Sequence, residues 1–180
     1  ATHPGQVVSL DTLYVGRLKG VGAVWQLTAV DVATRTAVVQ LVVGDKTAAV
    51  AAGFLDHLRK ALRRLGITLT GILSDNGPEF TGKDFAMKVT AMGLVHHRIP
   101  PRSPNHNAVC ERFHGTVLAE FFRPHFHRGR VDDVALLEKS LQAWIVDYNE
   151  HRPNHGNYMR GRTPLQVKRE LKTRLRQTAA

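Results

Sequence analysis

The chain has 180 residues, of which 43% are hydrophobic and 22% charged, proportions that fit one globular domain with a single sizeable core. One cysteine, Cys110, excludes an internal disulfide and a cysteine-built zinc site, and no stretch approaches the roughly 20 apolar residues of a membrane span. Lys and Arg number 25 against 15 Asp and Glu, so the formal charge is +10 and the surface attracts polyanions, nucleic acid first among them.

In chain order, "QVVSLDTLYV" (6–15) alternates imperfectly, is rich in Val, Leu and Tyr, and reads as a strand. "RLKGVG" (17–22) reads as a hairpin turn, "AVWQLTAVDV" (23–32) as a second strand and "AVVQLVV" (37–43) as a third. Short turns between three strands make an antiparallel meander. Val50, Phe54, Leu58, Leu62 and Leu65 then recur at helical spacing over 46–66, with Gly66 at the C-terminal end. "TGILSD" (70–75) reads as a short buried strand, 82–93 as a helix stopped by Gly93, and "LVHHRIP" (94–100) as a fifth strand. A polar loop, 102–108, leads into a helix from about Asn107 to Phe122. Helix 132–150 follows, striped by Leu136, Leu137, Leu141, Trp144, Ile145 and Tyr148. Pro164 suits the first turn of a last short helix. The order β-β-β-α-β-α-β-α-α-α implies a mixed sheet of five strands, three antiparallel and then two parallel, flanked by helices. Composition shifts near residue 151, which divides a core (1–150) from a basic C-terminal extension (151–180) that packs on the core or trails from it. No repeat and no secretory signal is present. The sequence opens without Met and reads as an excised domain.

Three acids stand where exposed carboxylates are not expected. Asp11 lies inside the first strand, Asp75 ends the fourth in "ILSDNGPEF", and Glu111 lies in the first turns of the helix after Asn107. A right-handed crossover through helix 46–66 returns the fourth strand parallel to the first, which sets Asp11 beside Asp75. Converging carboxylates repel one another unless a cation neutralises them, and an all-oxygen set suits magnesium or manganese. Two such ions stabilise the attacking and leaving oxygens of a phosphoryl displacement.

Thirty-five residues separate Asp75 from Glu111. Two aspartates and a glutamate at this spacing, with "SDNGPEFTGKDF", "SPNHNAVCERFHGTVLAEF", "TAVDVATR" and "YNEHRPNHGNYMRGRTPLQV" in order around them, resemble the integrase catalytic core of retroviral integrases and bacterial insertion-sequence transposases, the latter most closely. The resemblance covers roughly residues 5 to 168. It implies a ribonuclease H-like fold. It also implies a DDE-type polynucleotidyl transferase that cuts at transposon ends and transfers the 3′-hydroxyl strand into target DNA. Asp11, Asp75 and Glu111 would be the catalytic metal ligands, holding two Mg2+ or Mn2+ ions. DNA and further copies of the chain would be its partners, in the bacterial cytoplasm and away from membranes. A nuclease that only hydrolyses, or a catalytically silent DNA-binding module, are the alternatives. The chain departs from the family at Ala108 and Gly115, where Gly and a basic or polar residue are commoner.

Around these acids, Asn76, Asn105, His106, Asn107 and Arg112 are candidate DNA contacts, with Asn105 or Asn107 near a helix cap. Asp31 reads as a strand-end acid closing a turn, with Arg35 as its partner. Glu79 reads as structural or supporting. Cys110 and His114, four apart, suggest no convincing zinc site. Arg59, Lys60, Arg63 and Arg64, and the basic tail from Lys168 to Arg176, read first as solvated charge and second as DNA or dimer contacts.

Overall fold

The computed structural model describes residues 1–100 and 107–178. Its strands are β1 (Val8–Leu18), β2 (Gly22–Asp31), β3 (Ala37–Val43), β4 (Gly71–Ser74) and β5 (Val95–Arg98). They form one sheet in the order β3-β2-β1-β4-β5. The pairs β1–β2 and β2–β3 are antiparallel, while β1–β4 and β4–β5 are parallel. The crossover argument therefore holds: α1 (Ala48–Arg64) carries the chain from the meander edge back to the far side of β1.

Side chains alternate across this sheet and build two cores. Val8, Leu10 and Leu27 face α1, α3 (Lys83–Ala91) and the aromatic pair Phe80 and Phe85. Val24, Val30 and Val39 face α4 (Ala108–Val117) and α6 (Val134–Glu150). Asp11 and Ser9 share the parity of β1 that points toward α4. Thr12 points the other way.

Three features differ from the sequence reading. A short helix, α2 (Pro78–Thr81), stands where only a turn was expected. Pro78 at its first position supplies the helical φ and needs no N–H there. Instead of one helix from Asn107 to Phe122, α4 runs into a π-helical turn (Leu118–Phe122) and continues as α5 (Arg123–His127). Pro124 cannot donate back to the preceding turn, and the wider turn keeps Phe121 and Phe122 buried on one side. The last helix, α7 (Pro164–Thr178), has 15 residues and is not short. Lys168 and Lys172 on α7 donate to the carbonyls of Leu65 and Gly66, so part of the basic tail caps the C-terminal end of α1. Arg59 likewise donates to the Met92 carbonyl at 2.6 Å.

Candidate carboxylate site

Asp11 lies on the central strand, two residues beyond the register that pairs Ser9 with Leu73 of β4. Asp75 follows the last residue of β4, so both aspartates stand just beyond the stretch in which the parallel strands β1 and β4 are paired. Glu111 sits in the first turn of α4. That helix is locked onto β1: Ser9 Oγ donates to Asn107 Oδ1 at 2.7 Å, and Cys110 Sγ donates to the Ser9 carbonyl at 3.3 Å.

The electrostatics single out Asp11. Burial pushes its carboxyl up to about 6, and the charges of Asp75 and Glu111 push the same way; the Thr12 N–H and Lys46 oppose them. Such a group calls for a cation. Each aspartate also holds a backbone amide: Thr12 N–H donates to Asp11 Oδ1 at 2.8 Å, and Gly77 N–H to Asp75 Oδ1 at 2.9 Å. Among the described residues, no three His, Cys, Asp or Glu side chains close on a single point. The acids are near enough to repel but are turned to separate donors, as uncompensated carboxylates should be. Their oxygen-only chemistry and Asp11's environment fit a hard divalent ion.

His114 approaches Asp11, with Nδ1 3.8 Å from Oδ2, while Nε2 meets Thr28 Oγ1 at 2.9 Å. Burial pulls this imidazole down to about 4, so at neutral pH the contact is dipolar and not an ion pair. Cys110 is buried and its thiol is pushed up, chiefly by burial, which leaves it an inert packing group.

The candidate DNA contacts divide. Asn76 Nδ2 donates to the Ile99 carbonyl at 3.0 Å and pins the end of β5 to the Asp75 turn. Asn107 occupies the cap position of α4 but makes no side-chain cap bond, because its amide oxygen takes the Ser9 hydroxyl. Arg112 is exposed and lines a cavity of about 120 Å³ with Arg35, Tyr148, Asn154 and Tyr158. Asn105 and His106 lie outside the described residues. Gly115 faces open space.

Asp31 is buried, but its carboxylate is not paired with Arg35. It accepts from Gly5 N–H at 3.0 Å, Thr34 N–H at 3.0 Å and Thr34 Oγ1 at 2.6 Å. Arg35, with φ at 64°, instead turns its guanidinium to the Val32 carbonyl and over the Tyr158 ring. Sequence reasoning missed Lys46, Thr12 and the cavity-lining Arg35. The pairing of Lys46 with Glu79 spans 33 residues, and nothing local in either segment signals it.

A sheet in the order 3-2-1-4-5, with acids on β1, after β4 and on the following helix, defines a ribonuclease H-like domain. The structure superposes with a TM-score of 0.75 on a chain of the simian T-cell lymphotropic virus intasome solved with PP2A regulatory subunit B56 gamma, at 17% identity over 93% of this chain and 55% of that one. The HTLV-2 integrase catalytic core, solved in complex with magnesium in a trimeric form, gives 0.66 at 16% identity over 92% of this chain and 97% of that one. The sequence matches the integrase core domain over residues 1–104, and a second integrase core domain family over 92–164. The chain belongs to the integrase core domain family. A 39.2 kDa protein of insertion element IS476 from Xanthomonas euvesicatoria is 31% identical over 83 residues, 46% of this chain. The matched segment spans only 23% of that relative's length. Among the described residues, no helix is long and apolar enough to cross a membrane.

Proposed function

We propose that this chain is the catalytic domain of an insertion-element DNA transposase. It cleaves at element ends and joins the freed 3′-hydroxyl strand to target DNA. The observation that carries this reading is Asp11: a largely buried carboxylate on the central strand that feels both Asp75 and Glu111, in a domain with a +10 charge. Asp11, Asp75 and Glu111 are the residues that would hold two magnesium or manganese ions. When bound, such ions supply charge neutralisation and polarisation at the scissile phosphodiester.

The chain's own residues do the rest. The backbone amides of Thr12 and Gly77 orient the two aspartates. Asn76 and Asn107 fix the turn after β4 and the start of α4, which frame the approach to the acids. Arg112, with Arg35 behind it, offers guanidinium donors to a DNA phosphate beside Glu111, and Asn105 and His106, a few residues earlier in the sequence, are further candidate contacts. The HTLV-2 core was solved in a trimeric form and the simian viral chain in an intasome, which supports a homo-oligomer here; the Xanthomonas insertion-element relative supports action on DNA in the bacterial cytoplasm.

The test is joining of a labelled 3′-hydroxyl oligonucleotide to target DNA by the full-length protein with magnesium or manganese. Asp75→Asn should abolish joining. Joining that survives the substitution overturns the site assignment, and hydrolysis without joining overturns strand transfer.

A further inference from the structure

Glu79 is 2% exposed, yet it lies beside the turn that carries Asp75. Its Oε1 is fully engaged. Lys46 Nζ donates to it at 2.6 Å and Thr12 Oγ1 at 3.1 Å, and Lys46 also donates to Thr12 Oγ1 at 3.0 Å. Lys46 is itself seated over the Trp25 ring, 4.8 Å from its centroid. The network therefore grips the residue next to Asp11 from below the sheet.

The other oxygen is different. Oε2 is buried and has no hydrogen-bond partner among the described residues. Leaving a buried acceptor unmatched costs about 1–3 kcal/mol, and more for a charged group. A structural pairing with Lys46 accounts for Oε1 alone. What Oε2 faces is set by Gly77. A Cβ on residue 77 would lie 2.8 Å from Glu79 Oε2 and 3.1 Å from Asp75 Oδ1. Gly77 has φ −56° and ψ 146°, a conformation any residue adopts, so glycine is required there for space and not for backbone freedom. Glu79 Oε2 and Asp75 Oδ1 both close against that bare Cα, so Glu79 packs directly on the turn whose N–H holds Asp75.

We infer that Glu79 is a positioning residue of the divalent-ion site: its Oε1 holds Thr12 beside Asp11, and its Oε2 packs against Gly77, whose N–H donates to Asp75 Oδ1. The inference rests on the proposed site. Groups that orient a metal's direct ligands typically govern 10–100-fold in affinity.

The experiment is a manganese titration of the full-length protein, followed by calorimetry and by electron paramagnetic resonance of free Mn2+, with the metal-free melting temperature recorded for each variant. Glu79→Gln should weaken manganese binding by at least about tenfold. Thr12→Val, which removes the hydroxyl joining Glu79 to the strand of Asp11 and leaves Asp75 untouched, should weaken it in the same direction, and it decides the matter if Glu79→Gln does not fold. Asp75→Asn should abolish binding. If both variants bind manganese like wild type while Asp75→Asn does not, the role of Glu79 is overturned and the site stands. If wild type itself binds no manganese, the site reading falls, and this inference with it.

Discussion

Asp11 occupies an environment that disfavours its charged form, and this has a measurable consequence for the metal-free protein. The unfolded chain ionises it near 3.8, the folded chain at about 6. Between those values the folded state binds the extra proton, so this residue's contribution to stability falls as pH rises through the window. Above about pH 6 the penalty is complete. Asp11→Asn should therefore stabilise the metal-free protein at pH 7.5, by about 1–3 kcal/mol, while abolishing strand joining. At pH 4 the gain should vanish. Urea midpoints at the two pH values check this, and a variant no more stable at pH 7.5 than wild type would refute the strain. His114 works in the opposite sense. Its folded value of about 4 lies below the ordinary 6.5, so its contribution is whole above 6.5 and is lost as pH falls toward 4. At this scale the sequence was informative about Asp75 and Glu111, because spacing along one chain survives in a string of letters. Glu79 was legible only as structural or supporting, since "NGPEF" is also what a plain turn looks like and its partners Thr12 and Lys46 come from other elements.

Among the elements, β3 poses a physical problem that α6 solves. It is the edge of the sheet, and an open edge invites pairing with another chain. Three side chains of α6 meet its outward backbone groups. Glu138 Oε2 accepts from Leu41 N–H at 2.7 Å, Gln142 Nε2 donates to the Val39 carbonyl at 2.9 Å, and Asn149 pairs both groups of Ala37 at 2.8 and 2.9 Å. Asn149→Ala should cost about 2–3 kcal/mol, because it strands a buried donor and acceptor together. Gln142→Ala, which removes its bonds to the Val39 carbonyl and to Glu138 at a half-buried place, should cost about 1 kcal/mol. Denaturant melts measure both, and equal losses would contradict this account of the edge. The sequence displayed the apolar stripe of α6 plainly, as periodicity does. Its polar edge-covering residues stayed hidden, because a Glu, a Gln and an Asn on a helix read as solvated until the strand beneath them is known. The π-helical turn was hidden for a related reason: Pro124 announces a disturbance but not which register absorbs it.

For the whole molecule, connection rules pointed to β4 as a neighbour of β1, since a right-handed crossover helix can return it there, and the sheet has that adjacency. Charge placement did not follow, because the formal +10 is a sum without a map. The structure divides it. Lys168, Lys172 and Arg59 are committed to backbone carbonyls, whereas Arg112 is exposed at the mouth of the cavity beside the helix that carries Glu111. Binding to non-specific duplex DNA should thus weaken steeply with salt, through release of counterions from neutralised phosphates. If Arg112 contacts one phosphate, Arg112→Gln should lower the slope of log K against log salt by about 1 without changing the melting temperature, since its guanidinium makes no ion pair with any acid among the described residues. Lys172→Gln should do the reverse, lowering the melting temperature through loss of the α1 cap while leaving the slope unchanged. Fluorescence anisotropy across a sodium chloride series, paired with thermal melts, separates the two. An unchanged slope for Arg112→Gln would move the DNA path away from α4 and onto another face of the domain.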